Sequence, residues 1–489
     1  MKSNTIRKIM LTVPNGLWFR NRTFKLIPYN LALLQAVIPR EYEVCILDPN
    51  LENLSIEQVG EKINAFRPDM VGITASSLEF SKSVHKMAEL TKTISPTTLV
   101  ILGGAYATVT PEFPMEDTNI DFAILGEGEE RFPMLLEMLK KGDKDFTKFD
   151  GLAYRKNSKV IINSMKSFIE NLDKLPFPAY DKFNYRTYAN RPDKYANTLL
   201  PKYYPYAVTS TSRGCPFDCI YCHTWAKDGK KTRFKSAERV LEEIDWLVND
   251  YGTKELIFLD DNFNLNRPRF VKILKGLIKK NYNLHWKSIN ITAFLLDEEL
   301  LELMKASKLY QLILPIESGN QYVLDKILRK PLKLEKMLAI IKKAKELDFE
   351  IAADFIIGIP GETWDQIRDT TRFADVIDVD LVLFHIATPI PKTELYDIAK
   401  RNNYLGKDFD FRSHKFFGFG RGYITTDEFS PYDLHRLRAF EWDRINFKTQ
   451  RKKERYAMMA GISLEELDKW RKETIKNAGL YFPEHTHVA

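Results

Sequence analysis

The sequence predicts an α/β protein in three parts: an N-terminal Rossmann-like, doubly wound domain, a central partial (β/α)₆ TIM-like barrel and a C-terminal helical region. Three observations predict it. Up to about residue 145, short continuous apolar runs alternate with amphipathic stretches, as parallel strands covered on both faces require. From about residue 203 to 401 the same alternation recurs six times. The tail, 402–489, carries helix-start signals and amphipathic runs.

In the first domain, 1–145, strands are expected at Lys8–Val13, Glu43–Asp48, Met70–Thr74, Thr98–Leu102 and Phe122–Ile124. Helices are expected at Asn30–Ile38, Ser55–Phe66, Ser81–Thr93 and Arg131–Lys140. Ligands of such sheets bind beyond the carboxyl ends of the strands. The loops there read Thr74-Ala75-Ser76-Ser77, Gly103-Gly104-Ala105-Tyr106 and Gly126-Glu127-Gly128-Glu129. Glycines and small hydroxyls let a flat, bulky ligand approach the backbone; the plainer alternative is that the glycines only turn the chain. Cys45, inside a strand, reads as a small buried apolar residue. Residues 146–202 read as a linker, with a hairpin at Gly151–Arg155 and Lys159–Asn163 and a stiff proline segment at Leu175–Ala179.

The second domain, 203–401, is expected to place strands at Ala207–Ser212, Glu255–Leu259, Trp286–Asn290, Gln311–Ile316, Ala352–Ile357 and Leu381–Ile386. The helices between and after them are Ala237–Val248, Arg269–Lys279, Asp297–Ala306, Leu334–Leu347, Trp364–Val376 and Leu395–Arg401. Polar residues collect at the strand ends: Asp260-Asp261-Asn262, Glu317-Ser318-Gly319 and Gly358-Ile359-Pro360-Gly361-Glu362. His385, near the end of the sixth strand, reads first as a core histidine. In the tail, Phe416–Tyr423 is aromatic and glycine-rich, a candidate cap for the barrel mouth. Ser430 and Pro431 open one long helix running into the basic stretch Gln450–Arg455. Ile462–Lys476 is a further helix with a Ser463/Glu466 capping box.

Composition narrows the function. Lys plus Arg is 73 and Asp plus Glu is 66, a net charge of +7 over 489 residues, too mild to argue for nucleic acid. No apolar run is long enough to span a bilayer, and no signal peptide is apparent at Met1–Val13. Three of the four cysteines lie together, which leaves no disulfide framework and points to the reducing cytoplasm.

Those three are Cys215, Cys219 and Cys222, spaced C-x₃-C-x₂-C on the loop after the first barrel strand. Three thiolates can hold three irons of a [4Fe–4S] cluster and leave the fourth open. A Cys₃His zinc site with His223 is the plainer alternative. Direct adjacency of His223 to Cys222 strains joint tetrahedral ligation, and no second Cys-x₂-Cys unit exists.

The spacing, with Tyr221 before the third cysteine, resembles the signature of the radical SAM enzymes. The three strand-end loops, in this order, resemble the cobalamin (B12)-binding domain that precedes many radical SAM cores. The resemblance covers 1–401. It implies a [4Fe–4S] cluster on Cys215, Cys219 and Cys222 that binds S-adenosyl-L-methionine and cleaves it to a 5′-deoxyadenosyl radical. It places Asp260 and Asp261 beside the amino group of that cosubstrate, Glu317 and Ser318 toward its ribose or methionine end, and Gly358 under its adenine, with Tyr221 beside the cluster. It borders cobalamin with Thr74, Ser76, Ser77, Gly103, Gly104, Tyr106, Gly126, Glu127, Gly128 and Glu129. The Asp-x-His-x-x-Gly motif is absent, so cobalt is expected without a histidine lower ligand. Tyr106 stands where relatives often carry His, and Lys392 replaces the glycine of their Pro-Gly-Thr.

The activity implied is transfer of a methyl group from methylcobalamin to an unactivated carbon (or phosphorus) of a small-molecule substrate, with a flavodoxin- or ferredoxin-type electron donor. Two alternatives are a B12-binding radical cyclase or ring-rearranging enzyme, and a non-enzymatic cobalamin- or metal-sensing module.

Overall fold

The computed structural model describes residues 6–19, 26–190, 201–407, 409–412 and 421–479. Seven strands make the first sheet: β1 (Lys8–Thr12), β2 (Glu43–Leu47), β3 (Met70–Ala75), β4 (Leu99–Gly104), β5 (Phe122–Ile124), β6 (Leu152–Lys156) and β7 (Lys159–Ile162), in the order β2-β1-β3-β4-β5-β6-β7. The first five are parallel and the last two antiparallel. Strand order reverses at β1, so a cleft opens beyond the carboxyl ends of β1 and β3. Two apolar layers cover the sheet. Val59, Val84, Met87 and Val109 pack on one face, and Leu31, Phe132, Leu135 and Leu136 on the other.

Two expectations are corrected here. The hairpin expected inside a linker is β6–β7, and it extends the first sheet, so that unit continues past residue 145 to Ile162. The segment after it is not a plain linker either. Tyr180 and Tyr185 are buried and donate to the carbonyls of Val208 and Tyr206 at 2.8 Å, while Tyr180 stacks on Trp246. Tyrosine hydroxyls found acceptors on a barrel strand, so a proline-marked segment became part of the core. Cys45 is only half-buried, because β2 is the edge of the sheet.

The barrel contributes β8 (Tyr206–Thr209), a short ribbon β9 (Ser212–Arg213) and β10 (Arg233–Phe234), then β11 (Glu255–Phe258), β12 (His285–Ser288), β13 (Gln311–Glu317), β14 (Glu350–Ile357) and β15 (Leu381–Ile386). β8, β11 and β12 form one parallel triplet and β13, β14 and β15 another. The triplets meet at the parallel bridge Trp286–Leu309, where the Trp286 N–H donates to the Lys308 carbonyl at 3.3 Å. Six staves therefore run in sequence order, and among the described residues no pairing joins β15 back to β8.

The tail closes the β15 edge. One long helix was expected; two form, Pro431–Asn446 and Gln450–Ala460, because Thr449 caps a new N-terminus with its hydroxyl on the Lys452 N–H. Leu464–Asn477 follows, with the expected capping box. Most of the candidate cap Phe416–Tyr423 lies outside the described residues. Asn446, fully buried, accepts the Val382 N–H at 2.7 Å and donates to the Val382 carbonyl at 2.9 Å, which satisfies an edge that would otherwise be left open. Lys452 and Arg455 of the basic run pair with Asp378 and Asp380 at the barrel base. No helix among the described residues is long and apolar enough to cross a membrane.

Asn446→Ala strips both bonds from buried Val382. The expected loss is about 1–3 kcal/mol, read as a lower denaturant midpoint; an unchanged midpoint contradicts this account of the edge.

Candidate functional site

The cysteine loop hangs from the β9–β10 ribbon, where Arg213 and Arg233 stand directly opposite each other. Two like charges at such a pair repel. Glu127, from the loop after β5, answers both. Its carboxylate meets Arg213 Nη1 at 3.1 Å and Arg233 Nη1 at 2.7 Å, and accepts the Ile169 N–H at 2.6 Å. Glu129 takes Arg213 Nη2 at 2.5 Å. Glu127 and Arg233 are 5% and 4% exposed, so these charges have little water to fall back on. Glu127 and Glu129 line the cleft, as expected of border residues, and their carboxylates also clamp the first domain to the neck of the cysteine loop.

Within the loop the three thiols are free and half-buried. Burial pushes the Cys215 thiol up and the Cys219 thiol to about 11, so each holds its proton until a metal displaces it. Cys222 acts electrostatically on both. Tyr221 donates to Glu317 at 2.9 Å, and Lys330 donates to the same oxygen at 2.9 Å. Glu317 sits at φ 75°, a left-handed conformation that a non-glycine residue holds at a cost of order 1–3 kcal/mol. The strain turns its carboxylate toward the residue preceding Cys222.

Other predicted residues have different places. Asp260 is buried and accepts the Thr211 N–H, the Thr211 hydroxyl and the Ser212 hydroxyl at 2.5–3.1 Å, so it braces the strand leading to the cysteines rather than facing a ligand. Ser318 is fully buried against Thr370 at 3.1 Å. At Gly358 a Cβ would lie 2.2 Å from Leu434, so this glycine seats the tail helix. Its N–H and that of Ile359 bond to Glu362, whose pKa burial lifts to about 8. Tyr106 points away from the cleft: it is fully buried, 3.0 Å from His85, which is 2.7 Å from Asp117.

The remaining residues converge. A cleft of about 1400 Å³, counting its open mouth, is walled on one side by Thr74, Ser76, Gly103, Gly104, Gly126 and Gly128. Its other wall is the barrel's Ser212, Arg213, Lys227, Asp228 and Asp261. Ser77 lines an adjoining hollow that shares Thr74 and Ser76. Gly104, at φ 85°, leaves no room for a Cβ, which would stand 2.5 Å from the Ala75 carbonyl; at Gly103 a Cβ would meet nothing within 4 Å. Lys227, paired with Asp228 at 2.9 Å, faces Asp261, whose pKa burial raises and Lys227 partly lowers. Lys227, Asp228, Arg213 and Arg233 were not legible as site residues, since nothing in their local sequence says which loop they oppose.

The comparisons agree with this geometry. The B12 binding domain profile matches residues 18–136 and the radical SAM superfamily profile matches residues 209–374. The chain is 34% identical over 380 residues to an uncharacterized methyltransferase of Pyrococcus horikoshii, covering 77% of this chain and 79% of that one. It is 30% identical over 452 residues to the cytidylyl-2-hydroxyethylphosphonate methyltransferase of Streptomyces wedmorensis, covering 82% and 83%. Among solved structures, the cobalamin-dependent S-adenosylmethionine radical enzyme OxsB, with aqua-cobalamin and S-adenosylmethionine bound, superposes with a TM-score of 0.70 at 15% identity, covering 96% of this chain and 72% of that one, which shows a shared fold. The two domains and the cleft between them define a cofactor-carrying radical enzyme. The chain belongs to the cobalamin-binding radical SAM family, whose cofactors are a [4Fe–4S] cluster, S-adenosylmethionine and cobalamin.

The residues present fit those groups. Among the described residues no three His, Cys, Asp or Glu side chains are drawn together around one ion-sized point. The loop instead offers three separate thiols, the donor set of a cubane with one iron left free. The glycine and hydroxyl wall offers backbone to a broad, flat ring.

Glu127→Gln leaves Arg213 and Arg233 buried with less compensation. The expected cost is about 3–5 kcal/mol, seen as a lower thermal midpoint of the cofactor-loaded protein. Acid should act through the same contact. Burial works to raise the Glu129 pKa, but the Arg213 charge and hydrogen bond outweigh it and hold the carboxyl below its ordinary 4.5. A folded value below the unfolded one gives stability that is complete above the ordinary value and is lost as pH falls through the folded one. Glu129→Gln should therefore flatten the acid fall of Tm that sets in as pH drops below about 4.5; an unchanged slope argues against the clamp.

Proposed function

We propose that this protein is a cobalamin-dependent radical SAM methyltransferase that delivers a methyl group to an unactivated carbon (or phosphorus) of a small-molecule substrate. The carrying observation is the single cleft that places the glycine and hydroxyl loops of the first sheet opposite residues flanking the cysteine loop. The similarity to two named methyltransferases at 30% identity or more supports the choice of reaction. When bound, the cluster and cobalamin supply one-electron cleavage of a sulfonium and carriage of a methyl group.

The chain's own residues bind, orient and enclose. Cys215, Cys219 and Cys222 hold the cluster. Tyr221, tied to Glu317 and Lys330, fixes the loop that carries them. Asp261 faces the cleft, where it meets the cosubstrate's amino group, while Lys227 keeps its charge balanced. Thr74, Ser76, Gly103, Gly104, Gly126 and Gly128 form the cobalamin wall, with Ser77 at its margin. The clamp of Glu127 and Glu129 on Arg213 and Arg233 holds both walls in register and keeps bulk water from the seam. A low-potential flavodoxin- or ferredoxin-type protein in the cytoplasm supplies the electron.

Cys219→Ala is expected to abolish 5′-deoxyadenosine formation under chemical reduction while the visible spectrum of bound cobalamin persists. Retained cleavage in that variant overturns the cluster assignment. A product heavier by one methyl group supports transfer, and hydrogen loss without methyl gain supports the cyclase alternative.

A further inference from the structure

Arg438 lies on the tail helix Pro431–Asn446, outside both matched profiles, and is half-buried. Its Nε donates to the Phe384 carbonyl of β15 at 2.7 Å. That bond anchors the base of the guanidinium and leaves both terminal nitrogens without an acceptor among the described residues. Among the described residues, the Tyr456 hydroxyl acts on it electrostatically. Tyr456 packs with Ile313, Ala352, Leu381 and Leu383, alternate residues of β13, β14 and β15 that share one face of the strands. The guanidinium therefore stands at the unpaired side of the barrel, beside the same face that carries Asp354 and His385.

Several other buried cations of the two domains meet a carboxylate. Arg213 and Arg233 meet Glu127, Arg131 meets Asp150, Lys235 meets Glu243 and Lys330 meets Glu317. Arg155, lacking a carboxylate, places its terminal nitrogens on the carbonyls of Met115, Asp117 and Ile120. Arg438 has neither arrangement. Asp354, the carboxylate on the same strand face, is 3.6 Å from His385 Nε2 and forms no ion pair with Arg438. A half-buried guanidinium without a counter-charge is unfavourable for the fold, and burial lowers the Arg438 pKa to about 10. Such an arrangement persists when it serves a ligand. The planar fork of two free nitrogens suits a two-oxygen acid, a carboxylate or phosphonate, held bidentately.

We propose that Arg438 binds an anionic group of the substrate at the open side of the barrel, so that the small molecule acted on is an acid. This rests on the methyltransferase reading and deepens it. The test uses anaerobically reconstituted, cobalamin-loaded full-length protein and two probes, methylphosphonate and acetate, titrated by calorimetry at low ionic strength. Saturable binding of at least one probe is expected, weakened about tenfold or more in Arg438→Met, a difference of about 1.4 kcal/mol, and less in Arg438→Lys, which keeps the charge but not the fork. Which probe binds separates a phosphonate-type acid from a carboxylic one. Parent protein that binds neither probe, or Arg438→Met that binds as tightly as the parent, overturns the proposal. A matching loss of S-adenosylmethionine affinity in Arg438→Met overturns it as well, because the guanidinium would then hold the cosubstrate's own carboxylate. Failure of the methyltransferase reading shows separately, as absent 5′-deoxyadenosine in the parent protein.

Discussion

Arg213 and Arg233 face each other across a two-residue ribbon, and the cysteine loop begins and ends there. Without an anion between them the neck of that loop would be pushed apart by its own charges. The anion comes from the other domain: Glu127, at the end of β5, fills the gap, and Glu129 takes the outer nitrogen of Arg213. Closing the loop and docking the domains are thus one electrostatic event. A buried pair of this kind contributes little net stability over an apolar contact, yet losing one partner is costly. Its value here is register. Glu127 sits between Gly126 and Gly128, which line the cleft, and Glu129 follows them, so the contact that steadies the cysteines also sets the distance to the opposite wall.

The fold was largely legible because its signals are local. Each of the eleven parallel strands, five in the first domain and six in the barrel, was readable from an apolar run, with ends moved by up to three residues. Failures came where tertiary partners override local signals. Pro176 and Pro178 read as linker, but Tyr180 and Tyr185 beside them bury against β8. The hairpin β6–β7 read as isolated, but its partner β5 lies about thirty residues earlier, beyond any short-range pattern. One long tail helix was read through Thr449, whose hydroxyl was better used as a cap.

The candidate site divides along the same line. Cysteine spacing and glycine loops are written in the sequence because they are constraints on the backbone itself. Which carboxylate of a pair faces the cleft is not. Asp260 and Asp261 are adjacent in the loop after β11, where one turns inward to Thr211 and Ser212 and the other out toward Lys227. Glu127 and Glu129 were readable as site residues but not as clamps, since their partners lie more than eighty residues away. Tyr106 shows the reverse case. It lies two residues past Gly104, yet the short helix Ala105–Val109 turns it back into the first domain, where its hydroxyl is 3.0 Å from His85 Nε2.

The tail completes a division of labour among the three parts. The first domain supplies backbone and small hydroxyls, surfaces that suit a broad ring and carry little chemical discrimination. The barrel supplies the thiols and the charged residues nearest them. Neither part closes the unpaired side at β15, and the helix that does so contributes both Asn446, whose hydrogen bonds are satisfied, and Arg438, whose terminal nitrogens are not. A helix serving only to cover a strand edge would need amide groups and apolar side chains such as Asn446 and Leu434. An added guanidinium raises the desolvation cost of that helix and gives the edge nothing a neutral donor could not. Specificity is therefore expected to reside in the tail and its seam with β15.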